Sequence, residues 1–166
     1  MLALAAVLSV AASCLIPPDE VTLQQSLPYE AFDSRGAPFG WRYLNEINCT
    51  DAALALVRSY AAVNGRRLTQ NQCLEIAFHS GQALAFAGRD QESIAYFQEA
   101  VSSEAPAEWQ TYVNATLAFL RRDPVALASA RAAYAKIAPD SMRLQVIDGF
   151  VACPNEPYTR AAHCRM

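Results

Sequence analysis

The chain has 166 residues, 53% of them apolar and 17% charged, with a formal net charge of −3. That length and apolar content fit one folded domain with its own core and exclude a disordered chain. The slightly acidic balance, without clustered positive charge, argues against a nucleic-acid-binding surface. Alanine is abundant, which favours helix, and no stretch alternates β-branched with polar residues as a half-buried strand would. Lys136 is the single lysine among 13 basic residues, a bias typical of GC-rich bacterial coding.

Residues 1–14, MLALAAVLSVAASC, are apolar from Leu2 to Ala12 and end in small residues before Cys14. The run is too short to span a bilayer, which takes about 20 apolar residues. It reads as the hydrophobic region of an export signal. The Ala-Ala-Ser-Cys end resembles a bacterial lipoprotein signal, and that resemblance implies lipidation of Cys14 and a periplasmic or outer-membrane-anchored protein. A cut after Ala12 or Ser13 instead leaves a freely soluble exported chain. Residues 15–37 carry Pro17, Pro18 and Pro28 with no periodicity, and read as an extended tether.

The helical domain is expected over 38–152. Trp41, Leu44 and Ile47 share one face of a helix over 39–47, and Thr50 or Asp51 can cap a second helix that stops at Asn64-Gly65, the glycine supplying a left-handed residue. Thr69 with Gln72 has capping-box spacing and opens a long helix to Ala87, stopped at Gly88. Asp90 caps the next, to about Ser103. Pro106 suits the first turn of another, to Arg121. Asp123-Pro124 pairs an N-cap acid with proline at N1, and that helix ends before Pro139. Asp140 caps a last helix through Val151. The short connections predict antiparallel neighbours.

Two pieces match at an offset of 33: Leu84, Ala85, Phe86, Arg89, Asp90, Ile94 and Ala100 recur as Leu117, Ala118, Phe119, Arg122, Asp123, Leu127 and Ala133. Such a period marks a helical-repeat array. On these residues the segment from His79 to Ala100 resembles a tetratricopeptide repeat (TPR). Gly81 matches the family's small residue on helix A, Leu84 the core position after it, and Gly88 the turn. Phe97 and Ala100 match the aromatic and the alanine of helix B, and Ser93 stands where alanine is usual. The resemblance runs from Thr69 to Pro139, with a degenerate second copy. It implies an all-α fold of antiparallel hairpins stacked as a short α-solenoid, and a concave partner-binding face on the A helices. In the first copy that face is Glu75, Phe78, Gln82 and Phe86. The 33-residue offset adds Glu108, Thr111, Ala115 and Phe119, with Tyr112 beside them; the alternative is that the aromatic residues among these are core.

With Cys14 set aside for lipid, four cysteines allow three pairings. Cys153 and Cys164 bracket the Pro-rich tail 153–166 and can close a loop there. Cys49 and Cys73 are the remainder, either paired or buried as small apolar groups. Glu75 and His79 lie four apart on one helix face, but two ligands make a poor metal site, so no metal and no cofactor is expected. The expected function is an exported adaptor, not an enzyme, that binds a protein or peptide in the bacterial envelope. A structural subunit of an envelope assembly is the alternative, and a small hydrolase using Glu75, His79 or Asp51 a third.

Overall fold

The computed structural model describes residues 14–34 and 39–164, so the expected export signal lies outside the described residues apart from Cys14. The described residues are all-helical: α1 (Pro18–Ser26), α2 (Tyr29–Phe32), α3 (Trp41–Glu46), α4 (Thr50–Asn64), α5 (Gln70–Phe86), α6 (Asp90–Glu99), α7 (Ala107–Leu120), α8 (Pro124–Ile137), α9 (Met142–Ala152) and α10 (Tyr158–Ala161).

Local chemistry sets several boundaries. The Thr69 hydroxyl accepts from the Gln72 backbone N–H while the Gln72 side chain accepts from the Thr69 N–H, the reciprocal box that starts α5. Asp123 accepts from Ala126 N–H at 2.9 Å and Pro124 occupies the first turn of α8. Gly88 has φ +75° and ends the α5 turn in the left-handed region. Gly65 does not: its φ is −51°, and the chain leaves α4 through hydrogen bonds from Arg67 and Leu68 to the Asn64 carbonyl. The expected caps Asp90 and Asp140 are also displaced, to Arg89 and Ser141.

The expected tether is helical instead. Pro18 stands at the first helical position of α1, followed by Asp19 and Glu20 in the first turn, so prolines that suggest an extended linker here start a helix. α1 packs on α4. The Asn64 side chain donates to the Gln25 carbonyl at 2.9 Å and the Tyr60 hydroxyl to the Leu27 carbonyl at 3.0 Å. Phe32 stacks on Tyr60 with centroids 3.8 Å apart. Tyr29, Phe32, Trp41, Leu44, Leu56 and Tyr60 form one apolar core between α2, α3 and α4. The tail likewise has structure: in α10, Tyr158 and Ala161 are fully buried.

A second core runs through α5–α10. Helices adjacent in sequence pack on each other from α3 to α10, and α10 also reaches back to α5. The α5–α6 contact is close because Gly81 has no side chain: a Cβ there would lie 3.0 Å from the Phe97 ring, which is itself fully buried. The turns after α5 and α7 are alike. Gly88 and Arg122 are both left-handed, at φ 75° and 57°, and the next residues, Arg89 and Asp123, donate to the Leu84 and Ala118 carbonyls. The structural offset of these turns is therefore 34 residues, one more than the residue identities suggest. Gly149 is the other close approach: a Cβ there would run into the Ala161 carbonyl, so its bare backbone seats α10 on α9.

Disulfides join Cys14 to Cys49 and Cys153 to Cys164, and Cys73 is free and exposed. The Cys49–Cys73 pairing is thus not made. Cys49 caps the N-terminus of α4 and Cys73 lies in the first turn of α5, with the whole of α4 between them, whereas the N-terminal segment brings Cys14 within 5.3 Å (Cα–Cα) of Cys49. Cys14, the residue expected to carry lipid, is thus bonded to Cys49, and one sulfur cannot hold a disulfide and a lipid thioether at once. Two disulfides fit an oxidising compartment. Among the described residues no helix is long and apolar enough to cross a membrane.

Two results follow. Alkylation of the unreduced protein labels Cys73 alone; label on Cys14 or Cys49 contradicts the pairing. Gly81→Ala pushes a methyl into the Phe97 ring and lowers unfolding stability by about 1–3 kcal/mol, read from urea denaturation. An unchanged midpoint removes the close α5–α6 contact.

Candidate functional site

The α5 face Glu75–Phe78–Gln82–Phe86 is where the sequence places a binding surface. Residues at these spacings do share one helix face, but the chain itself covers much of it.

At the N-terminal end, Glu75 accepts a hydrogen bond from the Tyr29 hydroxyl at 2.9 Å. Burial, with the nearby Asp33 charge and the Glu75 bond, pushes the Tyr29 phenol well above its ordinary range. One turn on, His79 Nδ1 lies 3.2 Å from Asp33 Oδ1, and Arg42 Nη2 lies 2.8 Å from Asp33 Oδ2. The Arg42 guanidinium sits 4.3 Å from the Trp41 ring centroid, and Trp41 stacks on His79 at 5.4 Å. Burial opposes the Asp33 charge, but the bonds and charges of His79 and Arg42 outweigh it and hold the carboxyl below its usual range. Glu75 and His79 therefore each pair with the α2–α3 segment rather than with each other. Among the described residues no group of three or more His, Cys, Asp or Glu is placed to hold a metal ion.

Phe78 is 3% exposed, with ring centroids of Phe97 at 5.0 Å, Trp109 at 5.2 Å and Tyr112 at 5.4 Å. On α7, Tyr112, Ala115 and Phe119 are buried, and Phe119 stacks on Phe150 at 4.4 Å. Burial pushes the Tyr112 phenol up to about 12. The Thr111 hydroxyl donates to the Ala107 carbonyl of its own helix at 2.7 Å. Glu108 accepts from the Tyr134 hydroxyl at 2.7 Å and from Arg143 at 3.3 Å, whose guanidinium lies over the Trp109 and Tyr112 rings. So Phe78, Tyr112, Ala115 and Phe119 belong to the core. The 34-residue register explains part of this: it makes Tyr112 the counterpart of Phe78, and Leu120 rather than Phe119 the counterpart of Phe86.

The C-terminal half of the face differs. Gln82 Nε2 lies 3.3 Å from the Tyr158 hydroxyl, and Phe86 meets the Tyr158 ring edge-on at 5.3 Å while staying 41% exposed. Beside them a cleft of about 320 Å³ opens between α3 and α10, lined by Trp41, Arg42, Asn45, Gln82, Phe86 and Thr159. Asn45 takes the Thr50 hydroxyl on its carbonyl oxygen at 3.0 Å, which leaves its amide N–H groups for a ligand; Gln82 keeps its carbonyl oxygen. A smaller depression of about 180 Å³ lies at the other end, beside Glu75, Glu108, Trp109 and Arg143. Trp41, Arg42, Asn45 and Tyr158 were absent from the sequence-derived site. They come from segments far away in the chain, and no local spacing signals their approach.

No model of a known family, no characterised protein and no solved structure matches this chain.

The Asp33 cluster has a consequence for pH. A carboxylate whose folded value is depressed contributes stability above its unfolded value, near 3.9, and loses it as pH falls through the folded one. Asp33→Asn is therefore less stable than the native chain at pH 7, and the gap between their urea midpoints closes as pH drops below about 4. A gap that persists undiminished at pH 2 assigns the loss to packing instead.

Proposed function

We propose that this chain is an exported adaptor, of the tetratricopeptide-like helical-repeat kind, that takes an extended segment of a protein partner into the cleft between α3 and α10. The observation that carries the reading is Phe86: it stays 41% exposed on a helix face whose other aromatic residue, Phe78, is buried. A half-exposed ring beside a free amide donor on Asn45 and a free carbonyl acceptor on Gln82 suits a peptide, whose backbone offers both a carbonyl and an N–H and whose side chain can cover the ring. The recurring turn geometry after α5 and α7, and the Gly81–Phe97 approach, support the repeat reading. The two disulfides support an oxidising compartment such as the envelope or the exterior.

A second reading, a subunit of an envelope assembly, is favoured by the exposure of Val125, Ile137 and Met142 around α8 and the start of α9. A concentration-dependent rise in molecular mass in solution, abolished by Val125→Ser with Met142→Ser, supports that reading; a strict monomer removes it.

For the adaptor, the test is capture from an envelope fraction of the native host by the disulfide-bonded protein and by a Gln82→Ala, Phe86→Ala variant of unchanged helicity. A partner retained by the first and lost by the second, with affinity reduced about tenfold or more as for removal of an interface aromatic, is the expected result. A partner held equally by both puts its interface elsewhere.

A further inference from the structure

We infer that α10 is an internal ligand of the same helix face, held in place by the Cys153–Cys164 bond, and that opening this bond extends the binding cleft. The inference rests on the adaptor reading and adds its regulation.

α10 belongs to the tail yet packs on α5 as well as on α9. It inserts one large side chain. The Tyr158 ring, 1% exposed, lies 5.3 Å from Phe86, 6.3 Å from Phe97, 6.3 Å from Phe119 and 5.4 Å from Phe150. Its hydroxyl meets Gln82 Nε2, so the segment engages a predicted binding residue through a polar tip as well as an apolar body. The next residue, Thr159, lines the open cleft. The wall of the cleft is thus the occupant of its neighbouring pocket, and withdrawal of Tyr158 would join the two spaces.

Its other ties are the close seat of Ala161 on Gly149 of α9 and the loop before it. α10 is four residues long, and the loop before it is held by Arg122, which donates to the Pro154 carbonyl. The disulfide closes the loop that contains both, with 11 residues of separation. Closing a loop of this size favours the docked state roughly 100-fold in the chain-entropy account. Both cysteines are part-exposed and open to an external dithiol. The dithiol attacks one sulfur to give a mixed disulfide, and its second thiol then closes its own disulfide. Two electrons and two protons pass to the protein, leaving Cys153 and Cys164 as thiols.

The test uses the full chain with Cys14–Cys49 intact. Cys153→Ser with Cys164→Ser mimics the opened strap without touching the other bond. Hydrogen exchange of the amides of residues 158–164 accelerates up to about 100-fold in this variant, while the amides of α7 are unchanged. A fluorescent synthetic peptide of residues 154–163 then binds the variant at least about tenfold more tightly than the disulfide-closed protein. A Tyr158→Ala version of that peptide binds neither. Exchange in 158–164 within about twofold of the closed protein overturns the inference; so does faster exchange spread over α7, or equal peptide affinity for both forms. Because the probe is the chain's own segment, these outcomes are independent of whether an envelope partner occupies the cleft. Loss of partner capture in the Gln82, Phe86 variant with unchanged strap exchange defeats the strap alone, and the reverse defeats the adaptor reading alone.

Discussion

The missing side chain at Gly81 is the constraint on which the rest of the structure depends. It lets the Phe97 ring lie on the α5 backbone, with a hypothetical Cβ only 3.0 Å from the ring. Phe97 then becomes a hub. On one side its edge meets Phe78, which continues into Trp109 and Tyr112 on α7. On the other side it approaches Tyr158 of α10. A larger residue at 81 would move α6 outward and loosen both branches together, because close-packed interiors transmit such shifts. One aromatic system therefore fixes α6 against α5 and links α7 and the tail to both.

A polar seam attaches the N-terminal helices to the same face. Asp33 bridges Arg42 and His79, and Tyr29 bonds Glu75, so α2 and α3 hold the middle of α5 through four titratable groups and one guanidinium rather than through apolar contact alone. Half-buried pairs of this sort are geometrically demanding: each must satisfy its partners or leave a desolvated charge. The Cys14–Cys49 bond closes the segment onto the start of α4. The seam and the tail both stop short of the cleft over Gln82 and Phe86.

Much of this was legible in the sequence where the signal is local. Thr69 with Gln72, Asp123 with Pro124, and Gly88 each dictate their own backbone, and each does so in the structure. Gly81 and Phe97 each stand out in the sequence as a small and an aromatic position, but their direct contact is visible only in the structure. The repeat register was not. Leu84-Ala85-Phe86 matches Leu117-Ala118-Phe119 in letters, but the turns coincide one residue later, and one residue rotates a helix by about 100°. In that register Phe119 aligns with the buried Ala85, while Phe86 aligns with Leu120, which is buried as well, so the exposure of Phe86 is not set by register. The prolines of residues 15–37 misled for a related reason: proline fixes φ equally well for an extended linker and for the first turn of a helix, and the acids after Pro18 decide between them. The contribution of Tyr158 to the α5 face is a contact across 76 residues, and nothing in the local pattern specifies such a meeting.

The chain covers much of its own helix face with its tail and leaves a cleft beside Phe86. The most direct measurement is the set of nuclear Overhauser contacts of the Tyr158 ring in the disulfide-bonded protein in solution. Cross-peaks are expected from that ring to Phe86, Phe119 and Phe150, with solvent contact at Phe86 but not at Tyr158. A Tyr158 ring that contacts solvent and none of these phenylalanines would contradict it.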